Sequence, residues 1–173
     1  MGKNIVLIGF MGTGKSTTGL RLAEKLKLHF IDMDREIEKL TGMTITDIFR
    51  RYGEIRFRSE EQLMAQKLCT QKNLVIAAGG GVVLKEETIA LLQTNGVLVC
   101  LEAKPQYILE RVNRKKGTRP LLKKDMQMED IEEMLAIRKP LYSKADHCID
   151  TSGKNIDAVV NEIISRLKQT QIL

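Results

Sequence analysis

The chain has 173 residues, 43% hydrophobic and 29% charged, the balance of one globular domain long enough to bury a core without disulfide or metal staples. Its apolar runs all fall short of the ~18 residues a bilayer span needs, and Cys69, Cys100 and Cys148 are widely spaced with no CxxC, which argues against a disulfide framework or a zinc site and favours a reducing cytoplasm. Twenty-eight basic against 22 acidic residues give +6, a balance that suits anionic ligands and leaves nucleic acid, lipid and small phosphates all open.

Apolar runs alternate with helical patterns along the chain. Residues 4–9 (NIVLIG) are a short β-branched run closed by glycine, as in a buried strand. Residues 15–26 read as a helix, with Leu20, Ala23 and Leu26 at helical spacing. Residues 30–33 form a second strand, and 34–40 a helix ending at Gly42. Thr44 and Asp47 have capping-box spacing and open a helix through Ile48 and Phe49 to Gly53, followed by another over 54–69. Strand 74–78 (LVIAA) runs into three glycines. Helix 86–92 stops at Asn95-Gly96, 97–101 (VLVCL) is a strand, and Pro105 starts a helix over 105–112. A basic segment follows, then a helix over 128–143, a last strand over 147–150 and an amphipathic helix over 156–167. Continuous apolar strands separated by helices imply an α/β fold, its parallel sheet covered on both faces. No repeat, low-complexity tract or linker divides residues 1–173.

Gly9-Phe10-Met11-Gly12-Thr13-Gly14-Lys15-Ser16 fits G-x-x-x-x-G-K-[ST] between a strand and a helix, the context of a P-loop. Glycines let successive N–H groups curl around an anion, and the helix N-terminus favours negative charge. Lys15 then reaches the β- and γ-phosphates, the Ser16 hydroxyl ligates Mg²⁺, and Thr17 supports the α-phosphate side. The bland alternative is a glycine-rich turn before an ordinary helix. After strand 97–101 comes Glu102-Ala103-Lys104-Pro105 rather than the Asn-Lys-x-Asp of a GTPase.

Asp32 and Asp34 flank Met33 at the end of the second strand, where i and i+2 share a face looking into the ligand crevice. They suit a hydroxyl-bearing ligand and the water around Mg²⁺, although Asp34 also suits the cap of the next helix. Arg56 and Arg58, with Glu60 and Glu61 following, offer a guanidinium clamp for a carboxylate or a plain helix surface of ion pairs. Gly79, Gly80 and Gly81 permit close approach of backbone to ligand. The basic segment holds Thr118-Arg119-Pro120-Leu121-Leu122 and reads as a lid delivering Arg119 to the transferring phosphate, or as a solvated loop or nucleic-acid patch. Arg138 lies on the following helix, in which Pro140 suggests a kink.

Read together, these pieces resemble the shikimate kinases from residue 4 to about residue 167, in GFMGTGKST, FIDMD, TGMTITDIFRRYGEIRFRSEE, GGG, RPLL and RKPLY. The resemblance implies a P-loop three-layer α/β/α fold similar to nucleoside monophosphate kinases. Its five-stranded parallel sheet has the order 2-3-1-4-5, with substrate-binding helices at about 34–60 and a lid at about 112–125. It implies ATP-dependent phosphorylation of the shikimate 3-hydroxyl, on the way to chorismate and the aromatic amino acids. Carried over by position, Gly12, Thr13, Gly14, Lys15, Ser16 and Thr17 bind ATP, and Lys15 and Arg119 stabilise the transferring phosphoryl group. Ser16 binds Mg²⁺, with Asp32 assisting through water. Arg58 and Arg138 hold the carboxylate, Asp34 accepts from the hydroxyls, and Gly79, Gly80 and Gly81 line the substrate. Arg114, Gly153 and Lys154 are the candidates for adenine contacts. A gluconate kinase of the same fold is the runner-up, and a nucleic-acid-binding ATPase module is opposed by the scarcity of aromatic residues. The expected enzyme is a cytoplasmic monomer that binds neither nucleic acid nor membrane.

Overall fold

The computed structural model describes residues 2–114 and 126–173. Every residue of strand β1 (Asn4–Ile8) is buried, so it needs partners on both edges and cover on both faces. Strands β3 (Leu74–Ala77) and β4 (Gly96–Glu102) flank it, both parallel, with Ile5 opposite Val75 and Val97. Strand β2 (His29–Asp32) pairs outside β3 and β5 (His147–Asp150) outside β4. Among the described residues the sheet therefore has the order β2-β3-β1-β4-β5, as the resemblance implies.

The period-two alternation of β1 divides the core into two layers. Ile5 and Leu7 pack with Leu22 and Ala23 of α1 (Lys15–Leu26) and with Val159, Val160, Ile163 and Leu167 of α7 (Ile156–Gln169). Val6 and Ile8 face the larger layer. It is built from α2 (Met33–Thr41), α3 (Ile45–Leu68), α4 (Glu86–Thr94), α5 (Pro105–Arg114) and α6 (Met128–Tyr142). Because all five strands run one way, every strand-to-helix turn opens at the same edge. The turn after β1 sits where the connections diverge to either side.

Local structure differs from the sequence expectations in α1 and β2 and refines them in α3 and α6. Leu20 is half exposed, and Leu22 takes the buried position on α1. Strand β2 ends at Asp32, whose carboxylate accepts from the Arg35 N–H and caps α2, so Met33 is helical and Asp34 is not the cap. The expected break at Gly53 is present as a residue with φ 79° inside α3, a backbone conformation that suits glycine. Helix α6 runs through Pro140 to Tyr142 and starts at a reciprocal cap between Gln127 and Asp130.

Asn4 ties three strand starts together. Its amide donates to the Gln71 carbonyl (2.9 Å), its side-chain oxygen accepts from the Leu74 N–H (3.0 Å), and its own N–H donates to the Asn95 carbonyl (2.8 Å). Asn4→Ala removes the acceptor of a buried N–H, and the expected cost is about 1–3 kcal/mol. Urea denaturation should show a lower midpoint at unchanged slope.

Candidate active site

The turn after β1 is shaped by left-handed glycines, with φ 138° at Gly9, 80° at Gly12 and 92° at Gly14. Gly14 is also the residue before α1, so the curl ends on a helix N-terminus, where N–H groups lack intrahelical acceptors. The Thr13 hydroxyl donates inward to the Phe10 carbonyl (2.7 Å), bracing the loop. Lys15 Nζ donates to the Gly9 and Phe10 carbonyls (2.8 and 3.0 Å), which folds its ammonium over the mouth of the turn. The Thr17 hydroxyl donates to the Gly14 carbonyl (3.2 Å).

Ser16 Oγ donates to Asp32 Oδ2 at 2.6 Å. Two oxygen donors thus meet beside the turn, a set suited to a hard cation. Asp34 also lines the cleft, but it arrives on the first turn of α2 rather than by strand alternation from Asp32.

The opposite wall is built around Arg58. Its Nη1 donates to Glu61 Oε2 (2.5 Å), and Nη2 and Nε donate to Glu54 Oε1 (2.8 and 3.1 Å). The side chains of Arg58 and Glu61 are 11% and 2% exposed. Burial opposes the charge on Arg58, but Glu61 and Glu54 outweigh it and leave the guanidinium above its ordinary value. Glu61 is governed the other way. Burial pushes its carboxyl up to about 7 against the pull of Arg58, with repulsion from Asp34 and Glu54 adding to the rise.

A side chain at Gly79 would collide with Glu61 Oε1 and Asp34 Oδ1, and one at Gly81 with the Arg58 guanidinium. The outer two glycines therefore make room for the protein's own buried charges, and Gly79 stands behind the cleft lining. Gly80 remains on the lining, and its carbonyl accepts from Arg138 Nη1 (2.9 Å). Arg138 is buried and stacks over the Phe10 ring (5.2 Å), as Arg58 does over Phe57 (5.3 Å). Arg56 instead pairs with Glu60 at 2.6 Å on the surface, so it takes no part.

At the other end Arg114 and Lys154 reach the lining, paired with Glu110 and Glu162. Gly153 (φ 67°) turns the loop after β5 beside Tyr107 and does not line the cleft. Arg111, absent from the sequence candidates, donates to the Gly12 carbonyl (3.2 Å), Thr151 Oγ1 (3.1 Å) and the Thr151 carbonyl (3.1 Å). It joins the glycine turn to the loop after β5. Its place in the basic run over 111–124 gave it no distinguishing mark in the sequence. The spacing of Glu61 three residues after Arg58 was the one available sign of its role. Arg119 lies outside the described residues. The lining encloses a cleft of about 980 Å³, with the glycine turn, Asp34, Arg58 and Arg138 opening into one space. That arrangement can hold a phosphate tail on backbone N–H groups and a carboxylate on two guanidiniums.

A family model described as shikimate kinase matches residues 11–168. A shikimate kinase of Pelotomaculum thermopropionicum is 52% identical over 167 residues, 96% of each chain. The structure is similar to that of a shikimate kinase from Acinetobacter baumannii in complex with shikimate. The TM-score there is 0.92 at 34% identity, over 99% of this chain and 96% of that one. A gluconokinase from Sinorhizobium meliloti shares the fold at 19% identity, with a TM-score of 0.62 over 97% of this chain and 93% of that one.

The raised carboxyl of Glu61 carries a pH signature. Between its ordinary value of 4.5 and about 7, the folded protein holds a proton that the unfolded chain has lost, so stability falls as pH rises through that window. Glu61→Gln keeps an acceptor for Arg58 but cannot titrate. Chemical denaturation at about pH 5 and about pH 8 should show a smaller fall in the variant. The difference should be on the order of 1 kcal/mol for each pH unit that the window spans. An equal fall in both proteins would mean that Glu61 is ionised throughout.

Proposed function

The chain belongs to the shikimate kinase family, and from that premise we infer how its cleft transfers the γ-phosphoryl group of ATP to shikimate. The acceptor in this reading is the 3-hydroxyl, and the products are shikimate 3-phosphate and ADP, a step toward chorismate and the aromatic amino acids. The observation that carries the reading is the sharing of one cleft by the P-loop and the buried pair Arg58 and Arg138.

Gly12, Thr13, Gly14 and the N-terminus of α1 bind the triphosphate through backbone N–H groups. Lys15 swings from its carbonyl partners to the γ-phosphate and stabilises charge as the phosphoryl group departs. Arg58 and Arg138 clamp the shikimate carboxylate, their planes already fixed by Glu61, Glu54 and the Gly80 carbonyl. Asp34 accepts from the ring hydroxyls and holds the acceptor oxygen in line. Ser16 and Asp32 fit Mg²⁺, Ser16 as direct ligand and Asp32 through water. Such an ion, when bound, neutralises negative charge on the β- and γ-oxygens. Because the transition state is loose, positioning and electrostatics outweigh proton abstraction. Arg114 and Lys154 stand at the end of the cleft where this reading puts the adenine. The family position of Arg119 makes it a second cation on the transferring group, within a lid at about 112–125 of this single domain.

The same reading takes the enzyme as a cytoplasmic monomer that acts on two small molecules. Among the described residues no helix is long and apolar enough to cross a membrane.

A coupled assay of ADP release should respond to shikimate and not to gluconate. Equal turnover of gluconate would overturn the substrate assignment. Lys15→Ala and Arg119→Ala should each lower kcat by about 10²-fold or more. Arg138→Ala should instead raise the KM for shikimate and leave that for ATP unchanged. An Arg119→Ala enzyme with full turnover would remove Arg119 from the reaction.

A further inference from the structure

Strands β4 and β5 bring together side chains that lie 48 positions apart in the sequence. Cys100 and Cys148 are register partners across this parallel pair. Register partners share a face of the sheet, and Glu102, two residues beyond Cys100, shares it as well. The two Sγ atoms and a Glu102 carboxylate oxygen all lie within 4.8 Å of one another. Cys100 is fully buried while Cys148 and Glu102 are exposed, so the cluster has a closed floor and an open mouth.

We propose that Cys100, Cys148 and Glu102 form a binding site for a thiophilic divalent cation such as zinc, with water as the fourth ligand. The donor set is right in kind, two soft sulfurs and one carboxylate oxygen. It is also right in size. A tetrahedral ion at ~2.3 Å from sulfur and ~2.0 Å from oxygen needs its ligand atoms about 3.5–3.8 Å apart, within reach of small rotamer adjustments. The strand backbones already place all three ligand residues, so little ordering entropy opposes binding.

Burial pushes both thiols up, with Glu102 adding to the rise, so both hold their protons until a cation displaces them. A bound cation displaces both thiol protons to solvent and leaves the cluster with a net charge of about −1. Lys15 is near enough for its charge to favour the Cys100 thiolate. The site differs from the Ser16–Asp32 pair, whose oxygen donors suit Mg²⁺. The Glu102 carbonyl accepts from the Thr151 N–H and hydroxyl (2.8 and 2.9 Å), and Thr151 is held by Arg111, which also holds Gly12. The cation therefore sits two residues from the P-loop along a hydrogen-bonded chain.

The test is titration of the metal-free full-length protein with Co²⁺, read as thiolate-to-cobalt charge-transfer absorption in the near ultraviolet. The parent protein should saturate at one equivalent, and Zn²⁺ should abolish the band by displacement. Cys148→Ser changes an exposed residue outside the kinase machinery. It should lose the band while phosphorylating shikimate at the parent rate, which shows that it is folded. Glu102→Gln should weaken Co²⁺ binding roughly tenfold or more, and Cys69→Ser should bind as the parent does. No band in the parent, or an undiminished one in Cys148→Ser, overturns the proposal. The readout uses neither nucleotide nor shikimate, so its failure is distinct from failure of the kinase assignment.

Discussion

A guanidinium with 11% of its side chain exposed stays charged only if an anion is buried beside it, and much of the acceptor side follows from that requirement in Arg58. The anion is Glu61, one helical turn away, so the segment must be helical there for the pair to meet. A side chain at Gly79 or Gly81 would have to displace the pair from the space it occupies. A buried ion pair of this kind adds little to stability, because desolvation consumes most of the Coulomb attraction. Its value is positional. The Arg58 plane is fixed before any ligand arrives, and less ordering remains for the substrate to impose. Arg138 adds a second guanidinium to the same cleft, and two such planes suit a carboxylate.

The donor side solves a different electrostatic problem. A triphosphate tail is long and densely charged, and a curl of backbone N–H groups with an ammonium above it is suited to such a group. Phe10 joins the two sides. Its carbonyl anchors Thr13 and Lys15 within the P-loop, and its ring lies beneath Arg138. Strand β1 holds this hinge rigid, since each of its five residues is buried and Ile5, Val6 and Leu7 are paired on both edges. The glycine turn and the two guanidiniums are thus set relative to one another by the buried central strand.

Arg111 extends the same logic to the far end of the cleft. By joining the P-loop to the loop after β5, it makes two turns from distant parts of the chain behave as one wall. The β4–β5 edge below that wall carries the two thiols and Glu102, whose meeting is a consequence of strand register alone.

How much of this was legible in the sequence depends on how local the cause is. The P-loop, the alternation of strands and helices, the break at Gly53 and the start of α5 at Pro105 follow from short-range chemistry, and the structure agrees with all of them. Glycine conformations, helix caps and period-two burial are decided within a few residues, so they can be read from a string. The strand order came from resemblance to a family, because nothing in an apolar strand says which neighbour it will take. Choosing between Asp32 and Asp34 as the cap, separating the buried Arg58 from the surface Arg56, and finding Arg111 all required the packed chain. In each case residues of the same type stand close together in sequence, and only long-range contact distinguishes them. Sequence determined which chemical groups were present and which local shapes they favoured. The tertiary structure decided which of them were removed from water together, and the strength of a charge or a hydrogen bond depends on that removal.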